Sequence, residues 1–436
     1  MFFVCRQVIL YITTIVTETF VSLQDSGYSA MESNSDEHQD DSGSRPSSSR
    51  LGVLFLGSEW GSSKGGLSTI NRELAINVAK HPEVDVTFFV SRCNERDKEA
   101  ALGHNIKLVE ATELIGMEEL QWLCYPPSDL HFDVVVGHGV PLGPQANLIS
   151  KIFKCKWVQV VHTIPEELGM YKEYFDPISH AQEKHKMELK LCKEADFVVP
   201  IGPKLSEAFL SCLASCHKGE KFFSFTPGIL SEFSEIERDS ERQTTKFKVL
   251  LLSRGDAEDF SLKGFDIAAK AVAALRDLNV SLVFVGAKRE ELDEVTSCFL
   301  QCGIHKNNLT VRAFLENREE LKQLFSEMDL AIMPSRTEGF GLSGLEALSA
   351  GLPTLVSGNS GFGDALREVS FGSHYVVDSD DDQDWSIAIK KLRNKQKSRR
   401  LEESKLLRSL YASTYSSEEQ SKELILKMKS VVQGKN

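Results

Sequence analysis

MPSRTEGFGLSGLEALSAGLPTLVS, residues 333–357, carries the punctuation of a strand, a turn, a short helix and a second strand. Apolar residues 330–333 predict a strand that stops at Pro334, because proline cannot donate to a central ladder. Glu338-Gly-Phe-Gly-Leu342 predicts a turn, since Gly339 and Gly341 admit backbone angles that other residues avoid. Residues 343–350 predict a short helix that ends at Gly351, with Pro353 just beyond. Residues 354–357 predict the next strand.

A loop that leaves a parallel strand and enters a helix suits an anion. The amides of Gly341, Leu342 and Ser343 would face a bound phosphate, and the helix dipole would add partial positive charge. Glu338 and Glu346 flank this cradle, and carboxylates repel a diphosphate. They are expected to face hydroxyl groups on either side of it. A sugar nucleotide has that layout: sugar hydroxyls, a diphosphate, ribose hydroxyls. A plainer alternative fits the same residues, with Ser343-Gly-Leu-Glu346 as a helix capping box and Glu338 as a loop acid.

EGFGLSGLE, with two glutamates separated by seven residues, resembles the signature of retaining glycosyltransferases of family four. That family has the α/β GT-B fold, two Rossmann-like domains whose parallel sheets face a central cleft. The resemblance is dense over residues 334–357 and weaker from residue 51 to the C terminus. It implies that Glu338 lies by the donor sugar and that Glu346 binds the ribose. It also implies that the loop of Phe340, Gly341 and Leu342 holds the diphosphate through its backbone.

A chain of 436 residues exceeds one ordinary core, so two or three domains are expected. A formal charge of −13 argues against general nucleic-acid binding but leaves room for a local basic pocket. The nine cysteines lack CxxC spacing, which predicts reduced thiols in the cytoplasm and no metal site. Residues 1–50 read as a disordered or processed leader. Its uncharged apolar core, residues 7–17, is too short to span a bilayer, so stable membrane insertion is not expected. Residues 24–50 are rich in Ser, Asp and Glu and predict disorder.

Residues 51–228 predict an N-terminal Rossmann-like domain on the acceptor side. The continuous apolar run at 51–56 suits a buried parallel strand. A loop containing Lys64, Gly65 and Gly66 follows, without the GxGxxG spacing of a dinucleotide site. The double glycine suits close approach to a ligand or a plain strand-to-helix turn; the resemblance places it near the diphosphate and the acceptor. Further strands are predicted at 84–90, 132–136, 157–161 and 197–200, with helices between them. This alternation implies a parallel sheet covered on both faces, with ligands beyond the carboxyl ends of its strands. His138 and His162 both fall at that edge. A histidine at a strand end suits either packing or a site; by resemblance His162 is the one held against the donor sugar, and His138, from its place at the same edge, is a second candidate, for acceptor contact. Glu166 and Glu167 suit either acceptor hydroxyls or an exposed helix start.

Residues 225–233 read as the crossover between halves, with Thr226-Pro-Gly228 where the family usually has Pro-Asn-Gly. Residues 244–395 predict a second Rossmann-like domain that binds the nucleotide sugar, with strands at 248–252, 280–285, 309–314, 330–333, 354–356 and 375–377. The resemblance sets Arg254 and Lys263 on the diphosphate, where their charge would stabilise the leaving group. It sets Phe314 beside the base. GDAEDFSL, residues 255–262, lengthens the usual spacing between the two cations, and its Asp256, Glu258 and Asp259 suit either a weakened phosphate site or the binding of something else. Residues 396–436 predict a C-terminal helix that packs back toward the N-terminal domain.

The resemblance implies retaining, metal-independent hexosyl transfer from a nucleotide-diphosphate sugar, a UDP- or GDP-sugar, to a hydroxyl acceptor. His162, Glu338, Arg254 and Lys263 form the implied catalytic set, with no bound cofactor. The alternative is a weak or inactive GT-B module that binds a nucleotide sugar as sensor or scaffold, which the altered spacing of Arg254 and Lys263 favours.

Overall fold

The computed structural model describes residues 50–434 apart from 63, 172–175, 215–220, 237, 239–245 and 256. The leader, much of the charged segment before the second half, and Asp256 therefore lie outside the described residues. The strands are β1 (Leu51–Gly57), β2 (Val84–Val90), β3 (Ile106–Glu110), β4 (Val134–His138), β5 (Lys156–Val161), β6 (Phe197–Pro200), β7 (Phe247–Leu252), β8 (Val280–Ala287), β9 (Leu309–Ala313), β10 (Leu330–Met333), β11 (Thr354–Ser357) and β12 (Val376–Val377). Among the described residues they form two six-stranded sheets, ordered β3-β2-β1-β4-β5-β6 and β12-β11-β10-β7-β8-β9. Neighbouring strands pair in parallel throughout.

The strand sequences explain this arrangement. β4 and β8 are buried at every position, as strands covered on both faces must be. In β1, Val53 and Phe55 pack into one hydrophobic cluster, while Leu54 and Leu56 pack into another. Alternate side chains thus serve opposite faces of the sheet. Strand order reverses between β1 and β4 in one sheet and between β7 and β10 in the other. Crevices for ligands open at such points, beyond the carboxyl ends of the strands.

β3 is a strand that apolar patterning does not announce. It lies at a sheet edge, and its Lys107 and Glu110 are exposed. β4 starts two positions later than expected, after the Asp133 carboxylate has accepted the Gly52 amide at 2.9 Å, and it runs on to His138.

The C-terminal segment forms two helices rather than one, Lys397–Thr414 and Ser417–Val432. Ser416 interrupts them, its hydroxyl accepting the Glu419 amide at 3.2 Å as an N-cap. The turn lets the last helix cross to the first half, where Ser421 Oγ lies 3.1 Å from His81 Nε2. Tyr411 donates to the Pro227 carbonyl at 2.8 Å, and Gln420 bonds both the amide and the carbonyl of Thr226. The crossover is therefore clamped by the tail. None of the described helices is long and apolar enough to cross a membrane.

Candidate active site

Two helices bring bare N-termini to one place. Gly66–Ala79 follows β1 and Leu342–Ser349 follows β10; they start after Gly65 at φ 111° and Gly341 at φ 105°, and neither has a side-chain cap. Their first-turn amides have no partner within the helix. Ser343 stands inside its helix rather than before it, so the capping-box alternative does not describe this segment.

Both N-termini line a cavity of about 200 Å³, together with Arg254, Lys263, Phe314, Arg318, Glu338 and Glu346. Of the residues singled out from sequence, Gly65, Gly66, Arg254, Lys263, Phe314, Glu338, Gly341, Leu342 and Glu346 all stand here. The Arg254 guanidinium lies over the Phe314 ring, 4.4 Å from its centre. Lys263 Nζ donates to Glu338 Oε2 at 2.7 Å.

The long spacing between the two cations does not separate them. The insert makes a 3-10 turn at Ala257–Asp259, and Phe260 then packs edge-on against Phe299 and Phe265, with centroids 5.0 and 5.5 Å away. The added chain is thus anchored on the core of the second half. Burial opposes the Lys263 charge, but Glu338 and, more weakly, Asp259 outweigh it, and the ammonium titrates above the ordinary lysine range.

A second cavity, of about 490 Å³, shares Gly66, Glu338, Gly341 and Leu342 with the first and extends to His162, Phe340 and Glu188. Phe340 belongs to this cavity and not to the first. Gly339 explains the junction. A Cβ there would lie 2.1 Å from the His162 carbonyl oxygen, so the Glu338 loop rests directly on the end of β5.

His162 Nε2 lies 2.8 Å from His138 Nδ1, with the rings stacked 5.1 Å apart. Burial depresses both imidazoles, that of His162 to about 3, and His162 further depresses His138. Two neutral rings therefore share one proton between them, leaving His162 Nδ1 for the cavity. His138 is fully buried and lines neither cavity, so the acceptor contact expected of it is replaced by support of His162.

Other side chains depart from expectation. Lys64 Nζ turns away to the Ser58 carbonyl at 3.0 Å. Glu167 accepts Lys204 Nζ at 2.6 Å and the Thr337 hydroxyl, which ties the two halves together rather than facing an acceptor. Glu166 lines neither cavity.

Arg318 and Glu188 escaped sequence reasoning. Arg318 Nη1 donates to Glu346 Oε1 at 3.1 Å and its Nε to Glu232 Oε2 at 3.1 Å; Arg72 Nη2 reaches Glu232 Oε1 at 3.3 Å. This chain of charges links Arg72 of the first half and Glu232 at the crossover to Glu346 in the wall of the first cavity. Burial lifts the Glu346 carboxyl above its ordinary range despite Arg318. A signal for Arg318 existed, since it opens the Arg318–Glu327 helix, where the dipole disfavours a cation. Glu188 sits in the Pro177–Glu194 helix among many charged residues, and nothing local marks it as the buried one.

Residues 54–424 match the model of the family described as family 4 glycosyltransferase in conflict systems. The chain belongs to that family. It is 24% identical over 278 residues to D-inositol 3-phosphate glycosyltransferase of Corynebacterium urealyticum, covering 60% of this chain and 63% of that protein. It is 23% identical over 292 residues to mannosylfructose-phosphate synthase of Agrobacterium fabrum, covering 61% of each. The chain thus spans about three fifths of the length of these curated relatives. Sucrose-phosphate synthase from Thermosynechococcus elongatus superposes with a TM-score of 0.69 at 16% identity, over 88% of this chain and 100% of that one. Anabaena HepE in complex with UDP-glucose superposes with a TM-score of 0.65 at 16% identity, over 87% of this chain and 100% of that one. At such identities the likeness speaks to fold alone, and the fold of this family 4 chain is GT-B.

Proposed function

We propose that the chain is a retaining glycosyltransferase that moves a sugar from a nucleotide-diphosphate sugar to a hydroxyl acceptor. One observation carries this reading: two helix N-termini, Arg254 and Lys263 converge on a cavity that opens, past Glu338, onto His162. Such a cluster neutralises a diphosphate without calling on a metal ion. Glu346, held by Arg318, suits the ribose hydroxyls, and Phe314 with Arg254 suits the base side. The UDP-glucose bound by HepE supports a UDP-sugar as the first donor to try.

In this reading the bond from the anomeric carbon to the diphosphate oxygen breaks as the acceptor oxygen attacks from the same face. The acceptor proton passes to the departing phosphate, whose charge Arg254 and Lys263 hold. His162 contacts the sugar through its free ring nitrogen while positive charge develops on it.

The test is a thermal-shift screen of UDP-, GDP- and ADP-sugars, followed by product analysis with the radiolabelled donor that binds. A ligand that binds only the native state raises the melting temperature. The expected result is a shift with one donor, and transfer or donor hydrolysis that Glu338→Ala abolishes. No shift with any donor overturns the proposal. Donor binding without turnover would instead indicate the sensor or scaffold alternative.

A further inference from the structure

The second cavity contains a group that no role so far has used. Glu188 is 2% exposed and forms part of the wall that also carries His162. Its carboxyl accepts Gln159 Nε2 at 3.0 Å and the Val140 amide. Val140 lies in the first turn of the Gly139–Phe153 helix, which has no side-chain cap from its own N-cap residue. Glu188 therefore supplies from another helix the carboxyl acceptor for this N-terminus, and a negative charge there once the pH exceeds the value of about 7 to which burial raises it. Gln159 also donates to the Gly139 carbonyl at 3.1 Å, which locks the carboxyl and the helix start together.

This arrangement removes the natural anion site from that side of the cavity. The amide end that would hold a phosphate is already filled by a carboxylate. Among the described residues lining the cavity, Lys184 is the single cation, and it is exposed to solvent, where screening weakens it. The remaining wall includes Leu67, Ile70, Pro141, Ile201 and Phe340. Lys263 does not help, because it lines only the donor cavity and is paired with Glu338.

Resting on the transferase reading above, the geometry points to an acceptor that is an uncharged hydroxyl compound with an apolar face, from which Glu188 excludes phosphorylated counterparts. The apolar walls receive the acceptor's body. The few polar groups, His162, Thr163 and Glu188, orient its hydroxyls toward the shared edge at Glu338 and Gly341.

The experiment uses the full chain loaded with saturating UDP at pH 8, above the value of about 7 to which burial raises Glu188, so that its carboxylate is ionised. Thermal shift is measured with matched acceptor pairs: fructose and fructose 6-phosphate, myo-inositol and inositol 1-phosphate, and an aryl glucoside with its 6-phosphate. Transfer from radiolabelled UDP-glucose is measured in parallel. The inference expects at least tenfold tighter binding of the uncharged member of a pair, and the largest shift with the aryl glucoside. Glu188→Gln, which keeps the shape and the Gln159 contact, should narrow that preference at least threefold while leaving the UDP shift in place. A phosphorylated member that binds as tightly as its partner overturns the inference, as does a preference that Glu188→Gln leaves unchanged. A panel in which neither member of any pair shifts the UDP-loaded protein also overturns it. Absence of the UDP shift itself instead defeats the nucleotide-sugar reading, so the two failures are distinguishable.

Discussion

Lys263 Nζ lies 2.7 Å from Glu338 Oε2, although the two residues stand 75 positions apart. Burial opposes the Lys263 charge, and Glu338 is the main partner that sustains it within the cleft. Replacing Glu338 by Gln leaves the Lys263 ammonium opposed by burial with only Asp259 to offset it. Transfer is expected to fall roughly 10²-fold or more, because preorganised charge at the leaving group is lost. Steady-state rates with the radiolabelled donor check this; a loss smaller than about threefold would remove Glu338 and Lys263 from the mechanism.

Arg318 bridges two carboxylates, Glu232 and Glu346. Arg318→Ala would strand Glu346 and weaken the hold on Glu232. The site is partly open to solvent, so the expected loss of stability is about 2 kcal/mol, below the range for fully buried pairs. Urea unfolding measures it. Donor affinity should fall in the same variant, since Glu346 loses its orientation; unchanged UDP binding would argue against the ribose role.

The histidine pair makes a spectroscopic prediction. Both imidazoles are depressed, His162 to about 3, so neither should take up a proton between pH 8 and pH 5. The unfolded chain does bind those protons, with midpoints near ~6.5. The pair's contribution to stability is therefore whole above that value and is lost as pH falls toward about 3. Ring nitrogen chemical shifts, followed through a pH titration, test the prediction. A midpoint near 6.5 for His162 would show that the pair is not buried as described.

Glu188 acts in the opposite sense. Burial raises its carboxyl to about 7, whereas an unfolded glutamate titrates near ~4.3. Between those values the native state binds the extra proton, so stability falls as pH rises from the lower to the higher. Above about 7 the cost is constant. Glu188→Gln should remove this dependence and stabilise the protein at pH 8 by on the order of 3 kcal/mol relative to pH 4. Parallel urea titrations at the two pH values decide it.

Gly339 admits the close packing of the two halves. Gly339→Ala would place a methyl group 2.1 Å from the His162 carbonyl oxygen, and backbone has to move. The expected result is a folded protein, about 1–3 kcal/mol less stable, with transfer reduced more than UDP binding. Circular dichroism with paired rate and binding measurements separates these effects.

The strands, the glycine turn and the anion-facing helix start were legible in the residues, because periodicity and backbone freedom are local properties. The 333–357 segment folds nearly as its sequence implies, and the apolar runs at β1, β4 and β8 report burial on both faces. Edge strand β3 was hidden, since an edge carries exposed charge, and the tail's break at Ser416 was hidden by a helical pattern on both sides. Which charges meet was beyond the sequence. Arg318 finds Glu232 across 86 positions and Glu346 across 28, and His138 finds His162 across 24. Such pairs are chosen by chain topology, which delivers distant side chains to one crevice. Burial then fixes whether each is charged, and no local pattern encodes either outcome.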